Sequence, residues 1–166
     1  VYERLTREAA KGGVDLVVWP ESAVPFFFQD EPQQADRIRN LARELSFSLI
    51  IGSPAHELRN GKRVFLNSAF MISPGGEIIG RSDKIHLVPF GEFMPLRSLL
   101  GPLAKAFQVP MSDFSSGEAE RPLLQVGPHR VGVSICYEDA FAAEVVQALP
   151  DAAYLINVSN DAWFGD

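Results

Sequence analysis

The sequence is poor in the residues that build disulfides and metal centres. It contains one cysteine, Cys136, so no disulfide can form within the chain. Three histidines, His56, His86 and His129, lie too far apart for a zinc-binding pattern. No apolar run reaches the roughly 18 to 20 residues of a membrane helix, and the first residues, VYERLTREAAK, do not form a signal peptide. We therefore expect a free thiol and no zinc site.

Basic residues are fewer than acidic ones. The chain has 15 Lys and Arg against 21 Asp and Glu, a net charge of −6, and its basic residues are scattered. Because phosphate binding requires a basic face, nucleic acid is excluded as a partner. With 46% hydrophobic and 22% charged residues, the composition is typical of a globular protein rather than a disordered one. The 166 residues amount to one domain.

Helical and strand-like segments alternate along the chain. Residues 1–11 and 33–45 carry apolar residues at helical spacing, and each segment precedes a strand-like run, VDLVVWP or FSLIIGSP. RVFLNSAFMISPGGEIIG predicts a hairpin, and HRVGVSIC, AFAAEVVQAL and AAYLINVSN predict strand, helix and strand. This alternation indicates an α/β layered domain. Since the chain opens in a helix and stops after a strand, we expect a piece of a larger protein.

Three chemically active side chains follow predicted strands. Glu21 comes after LVVWP, Lys84 after the hairpin, and Cys136 after VGVSI. In layered α/β folds, active sites gather where strands end and loops begin. The three residues could therefore supply a base, a cation and a nucleophile at one site.

Such a trio suits acyl transfer through a thioester. A thiol with a reference pKa of about 8.5 needs a base or a nearby positive charge to attack near neutral pH. Glu21 can act as the base. Lys84 can stabilise the acyl oxyanion together with the backbone N–H of Tyr137. Glu92, eight residues after Lys84, can orient the lysine and keep it charged.

Each of these residues also has a structural interpretation. A single Cys at a strand end is usually a small buried residue, Glu21 could cap a helix, and Lys84 could be a surface charge. His86 is an alternative base, because Cys–His pairs are common and it lies two residues after Lys84. We expect His86 to support its loop by hydrogen bonding instead.

Together these stretches resemble the carbon–nitrogen hydrolase (nitrilase) superfamily. WPE supplies Glu21, DKIHLVPFGE supplies Lys84 and Glu92, and CYED supplies Cys136. Within that superfamily, HLVPFGEFMPLR, ICYEDAF and NVSNDAWFGD are similar to the apolipoprotein N-acyltransferases. Soluble amidases and nitrilases usually lack the Val-Pro-Phe-Gly-Glu and Asp-Ala-Trp-Phe-Gly segments. Three long motifs in the expected order make the resemblance specific.

The resemblance implies a fold and a set of site residues. The fold is a nitrilase-like αββα sandwich, incomplete at both ends, with residues 1–166 forming part of a catalytic domain. A Glu21–Lys84–Cys136 triad lies at its centre. The resemblance also implies that three supporting residues are needed for activity: Glu92, Tyr137 and Glu138. No metal or organic cofactor is implied.

The same resemblance implies a reaction and a location. Cys136 would take a fatty acyl chain from a phospholipid, usually phosphatidylethanolamine. It would then pass that chain to the α-amino group of the diacylglyceryl-cysteine of an apolipoprotein. Membrane helices of the parent chain would hold the domain at the bacterial inner membrane, facing the periplasm. The alternatives are a soluble amidase with the same triad and a catalytically silent scaffold that binds a partner.

Several apolar loops suit contact with lipid at a membrane surface. AVPFFF, with Phe26, Phe27 and Phe28, and EFMPLRSLLGPLAKAF are apolar and lightly charged. We interpret some of these phenylalanines as lipid contacts, the alternative being that they pack on the sandwich. The predicted substrate-binding residues are Phe93, Trp163 and Phe164.

Overall fold

A four-stranded sheet forms one half of the molecule in the computed structural model, which describes residues 1–93 and 113–160. Its strand order is β1-β2-β3-β4, with β1 and β2 parallel and the other pairs antiparallel. The strands are β1 (Leu16–Val18), β2 (Ser48–Arg59), β3 (Lys62–Ile72) and β4 (Ile78–Asp83). β1 connects to β2 through a helix, as parallel neighbours require.

A second sheet has the strand order β5-β6-β7. β5 and β6 are antiparallel, whereas β6 and β7 are parallel. The strands are β5 (Leu124–Val126), β6 (His129–Ile135) and β7 (Tyr154–Val158). Between β6 and β7 run a 3-10 turn (Cys136–Ala140), the short helix α3 (Ala142–Val145) and a second 3-10 turn (Val146–Ala148).

The two sheets pack face to face through alternate residues of their strands. This core is made of Ile50, Ala69, Met71, Leu124, Val126, Val131, Val133, Ile135 and Val158. The period of two along each strand places these side chains on one face. The interior of the sandwich is therefore apolar along most of its length, and a polar side chain there requires partners.

Two helices cover the outer face of the first sheet. They are α1 (Tyr2–Ala10) and α2 (Pro32–Leu45), and α2 buries its apolar stripe of Ala35, Ile38, Leu41 and Ala42. Pro at the first position of α2 suits its missing N–H, and Ser46 ends the helix in the left-handed conformation (φ 56°). On the second sheet, the segment containing α3 lies on the outer side, where Ala148 approaches Gly132 and Leu155 stays 37% exposed.

This α/β sandwich confirms the predicted fold class. The hairpin predicted around Pro-Gly-Gly is formed by β3 and β4, with a bulge at Met71 and Ile72. The predicted helix AFAAEVVQAL is wrong in length, because only Ala142–Val145 is α-helical and Val146–Ala148 forms a 3-10 turn. None of the helices in the described part of the chain is long and apolar enough to span a bilayer.

Gly52 of β2 allows a turn of the chain to cross the sheet closely. A Cβ atom at this position would lie 2.4 Å from the carbonyl oxygen of Pro20 and 2.6 Å from the Cα of Glu21. Those are backbone atoms that cannot rotate away. The turn after β1 can therefore rest on β2 only because residue 52 has no side chain.

We predict that Gly52→Ala destabilises the fold by about 1–3 kcal/mol, because the added methyl group overlaps backbone atoms. Gly12→Ala is the matched control, since its nearest neighbour would be the Ala9 carbonyl at an ordinary 3.5 Å. That control should change the free energy of unfolding by less than about 1 kcal/mol. Urea titrations followed by tryptophan fluorescence measure both values, and equal stability of the two variants would contradict the role given to Gly52.

Candidate active site

Glu21 sits in the turn that crosses Gly52. Trp19, just before it, donates a backbone hydrogen bond to Ile50 (2.8 Å), and its indole N–H donates to the Thr6 hydroxyl (2.9 Å). These contacts anchor the turn to β2 on one side and to α1 on the other. Glu21 is consequently held with only 6% of its surface exposed.

Lys84 continues β4 beyond its last paired residue. Its backbone N–H donates to the Asn67 carbonyl of β3 (2.8 Å), and its side chain is 1% exposed. The ammonium lies 3.3 Å from Oε1 of Glu21 and 2.9 Å from Oε2 of Glu92. A buried ammonium requires such partners, because desolvation of a lone charge is costly. The structure therefore brings three of the predicted site residues into contact.

Glu92 is held by a tight turn in the loop after β4. Its Oε2 accepts the backbone N–H of Val88 (2.9 Å), and its own N–H donates to the Val88 carbonyl (2.9 Å). Phe90, at the tip of this turn, has a left-handed backbone (φ 63°) and is 57% exposed. The turn thus fixes the carboxylate beside the lysine while presenting an aromatic ring to solvent.

Asn67 joins the two carboxylates, and the sequence reasoning did not single it out. Its side-chain amide donates to Oε1 of Glu21 (2.7 Å) and to Oε1 of Glu92 (2.8 Å). A clue was available in FLNSAFMI, where one amide interrupts an otherwise apolar row of a buried strand. Both amide hydrogens are used, so Asn67 orients two negative groups without adding charge.

The carboxylates determine the charge state of the lysine. Burial by itself would lower the pKa of Lys84, but the hydrogen bond with Glu92 and the charges of Glu21 and Glu92 outweigh it and raise that pKa. Lys84 is therefore an ammonium at every physiological pH. A permanent positive charge in a dry site can stabilise a developing oxyanion strongly.

Cys136 directly follows β6 and is the first residue of the 3-10 turn, where its backbone is strained. Its φ of 59° is unusual for a residue with a Cβ, and it turns the side chain toward the core between the sheets. Asn157 of β7 holds the turn by donating to the Cys136 carbonyl (2.8 Å) and the Ser134 hydroxyl (3.0 Å). Nucleophiles on strand-to-helix turns are presented in this way in other α/β enzymes.

The electrostatic surroundings keep the thiol protonated at rest. Burial and the negative charge of Glu21 raise the pKa of Cys136, whereas the Lys84 ammonium and a hydrogen bond from the Tyr137 backbone N–H lower it less strongly. The raised pKa means that deprotonation must accompany attack, and Glu21 is the adjacent group that can accept the proton.

Glu138 binds to the backbone on both sides of the site. Its Oε2 accepts the Ile135 N–H (2.8 Å), and its Oε1 accepts the Ile85 and His86 N–H groups (2.7 and 3.0 Å). The carboxylate is fully buried and also accepts a hydrogen bond from Arg121 (2.6 Å). One side chain thus connects the turn of Cys136 to the segment after Lys84.

The other aromatic and imidazole candidates have different surroundings. The Tyr137 hydroxyl donates to the Leu87 carbonyl (3.2 Å), and its ring centre lies 5.7 Å from the Lys84 ammonium. His86 hydrogen-bonds to Glu144 (2.6 Å) and stacks on Phe141 at 3.9 Å. This pairing agrees with the expected supporting role of His86 in its loop.

Of the three predicted substrate-binding residues, the structure describes only Phe93. Phe93 is half-buried, and its backbone forms an isolated β-bridge with Pro89. Trp163 and Phe164 lie outside the described residues. Lipid contact is wrong for Phe28, which is 1% exposed in the core against Phe70 because the chain folds back under α2.

Across residues 1–93 and 113–160, no three His, Cys, Asp or Glu side chains are grouped to hold a metal ion.

Fold and site together define an α/β sandwich with a thiol, an ammonium and two carboxylates at one end of its inter-sheet core. The chain belongs to the carbon–nitrogen hydrolase family, whose model matches residues 2–166. A carbon–nitrogen hydrolase of Helicobacter pylori G27 has the same fold, with a TM-score of 0.69 and 19% identity over 95% of this chain and 53% of that one. An amidase of Nesterenkonia AN1 matches with a TM-score of 0.65 and 18% identity, covering 95% and 56%.

Curated relatives with higher identity are apolipoprotein N-acyltransferases. The one from Geobacter metallireducens is 52% identical over 169 residues, covering 99% of this chain and 32% of its own length. The one from Haemophilus influenzae is 38% identical over 174 residues, covering 100% and 32%. This chain therefore spans about a third of the length of these relatives.

We predict that Asn67→Ala lowers the free energy of unfolding by about 1–3 kcal/mol, because two buried carboxylate oxygens lose a donor. The matched control is Asn40→Ala on the exposed face of α2, where Asn40 accepts a hydrogen bond from Arg43. The control should cost less than about 0.5 kcal/mol. Urea titration again measures the difference, and a neutral Asn67→Ala would contradict the bridging role.

We also predict that Glu21→Gln makes the Cys136 thiol more acidic. Burial and the Glu21 charge both raise the pKa of Cys136, so removal of that charge should move the midpoint of the alkylation rate to a lower pH. Iodoacetamide labelling followed by mass spectrometry measures that midpoint. Glu44→Gln, at an exposed position on α2, should leave it unchanged. A midpoint in Glu21→Gln equal to or above the original would contradict the electrostatic account.

Proposed function

We propose that this chain is part of the catalytic domain of a phospholipid:apolipoprotein N-acyltransferase, with residues 1–166 belonging to one carbon–nitrogen hydrolase domain. The observation that carries the proposal is the buried Lys84 ammonium, held by Glu21 and Glu92 beside the Cys136 thiol. Curated apolipoprotein N-acyltransferases, at 52% and 38% identity over essentially the whole chain, support this hypothesis of acyl transfer.

In the first half-reaction, Cys136 attacks the ester carbonyl of a phospholipid. Glu21 accepts the thiol proton as the carbon–sulfur bond forms. The negative charge on the carbonyl oxygen is stabilised by Lys84 and by the backbone N–H of Tyr137. When the carbon–oxygen bond breaks, the departing oxygen takes the proton from Glu21 and leaves as a lysophospholipid hydroxyl. The fatty acyl chain remains on Cys136 as a thioester.

In the second half-reaction, the α-amino group of a diacylglyceryl-cysteine attacks the thioester. Glu21 accepts one amine proton, and the same two donors stabilise the oxyanion. When the carbon–sulfur bond breaks, the sulfur takes that proton back and an amide is released. The raised pKa of Cys136 suits this cycle, because the thiol returns to its protonated form at the end. Glu92 and Asn67 would keep the lysine and Glu21 in place throughout.

The proposed substrates place the domain at a membrane surface. A phospholipid donor, with phosphatidylethanolamine as the expected species, and an apolipoprotein acceptor both reside in the bilayer. We propose the periplasmic face of the bacterial inner membrane, with membrane helices elsewhere in the parent protein as the anchor. Exposed Phe90 beside Glu92 supports contact between this end of the domain and acyl chains.

The test is intact mass spectrometry of the full-length protein after mixing with phosphatidylethanolamine micelles. We expect a fatty-acyl adduct that hydroxylamine removes, and none in Cys136→Ala, because the thioester forms on that sulfur. Turnover of a small amide without any lipid adduct would instead identify an amidase. An unaltered cellular role of Cys136→Ala would identify a silent scaffold.

A further inference from the structure

The Glu138 carboxylate is a buried negative charge that none of the proposed chemical steps uses. Its side chain is fully buried, and three of its hydrogen bonds come from backbone N–H groups of Ile135, Ile85 and His86. An ionised carboxylate can accept all of these bonds together with a fourth, whereas a protonated one offers fewer acceptor sites. Glu138 therefore connects the two halves of the site through these backbone hydrogen bonds.

Arg121 is the cation that pairs with this carboxylate. Its Nη2 donates to Glu138 Oε1 at 2.6 Å, and its Nη1 lies 3.4 Å from the Val133 carbonyl of β6. The guanidinium side chain is 18% exposed and so reaches inward from the surface. Removing one partner of such a pair leaves an uncompensated buried charge, which is strongly unfavourable.

The segment that carries Arg121 also contacts the chain around Lys84. Gly117 donates its N–H to the Lys84 carbonyl (2.8 Å), and the Ser116 hydroxyl donates to the Ile85 carbonyl (2.7 Å). A Cβ on Gly117 would lie 2.9 Å from both the Cβ and the carbonyl oxygen of Asp83, so the two segments are in close contact. Arg121 therefore acts from a segment already fixed against the lysine side of the site.

We propose that Arg121 is a positioning residue for the acyl-transfer site, because it binds and orients the Glu138 side chain that fixes the Cys136 turn against the Lys84 segment. The expected loss of turnover rests on the proposed function. The expected change in amide hydrogen exchange does not. Arg121 acts through Glu138 and touches neither the thiol nor the lysine ammonium. A lysine in its place would keep the charge but lose the planar guanidinium.

The test compares Arg121→Gln and Arg121→Lys in the full-length protein. Amide hydrogen exchange should rise about tenfold or more in Arg121→Gln at Ile85, His86 and Ile135, because these N–H groups lose part of their acceptor. Exchange along β2 should stay within about twofold of the original. Arg121→Lys should show an intermediate rise at the same three positions. The matched control is Arg7→Gln, which breaks an exposed arginine–carboxylate pair with Glu44 and should change none of these rates.

A kinetic measurement separates positioning from general stability. The turnover number for phospholipid-dependent acylation should fall roughly 10- to 100-fold in Arg121→Gln, because small displacements at a reacting centre are costly. The KM for phosphatidylethanolamine should change by less than about threefold, and Arg121→Lys should recover part of the turnover.

Each outcome decides the proposal. A folded Arg121→Gln with original exchange rates at the three amides would overturn it, and so would an equal rise across the whole chain. If Arg121→Gln does not fold, the intermediate rise in Arg121→Lys is the decisive result, and its absence overturns the proposal. The exchange experiment contains no lipid, so failure of the parent to acylate would reject the proposed function without affecting this result.

Discussion

The ammonium group of Lys84, buried between two carboxylates, is the constraint on which the rest of the site depends. With 1% of the side chain exposed, its charge is tolerated only because Glu21 and Glu92 lie within 3.3 Å. Burial of an ion pair contributes little net stability, since desolvation offsets the attraction. The arrangement is therefore better explained by the chemistry of a permanent positive charge in a dry site than by stabilisation of the fold.

Keeping this charge in place requires unusual backbone features around it. Gly52 lets the Glu21 turn cross β2, and Cys136 accepts a left-handed conformation in which its side chain packs on the inter-sheet core. Non-glycine residues in that conformation cost about 1–3 kcal/mol and persist only where the surroundings hold them. Here Asn157 and Glu138 hold the Cys136 turn through three hydrogen bonds. Glu138 extends that support to the segment after Lys84 through two more, from the Ile85 and His86 N–H groups.

Local sequence patterns predicted the strands of the described residues except β5, and they predicted the chemically active groups, but not the network between them. Glu21, Lys84 and Cys136 were found because each follows a strand and belongs to a recognisable motif. The amide of Asn67 in an apolar row is a local clue, but its partners are not, because the turn after β1 brings Glu21 to it and the loop after β4 brings Glu92. The pairing of Arg121 with Glu138 was missed for the same reason, since it joins residues on separate segments through tertiary contact.

In the proposed reaction, the acyl group of a phospholipid is held on Cys136 with its carbonyl oxygen at Lys84. A structure of the full-length protein trapped as its fatty-acyl thioester tests this most directly. We expect the thioester oxygen to lie about 3 Å from both the Lys84 ammonium and the Tyr137 backbone N–H. An acyl group on another residue, or a carbonyl oxygen turned away from Lys84, would contradict it.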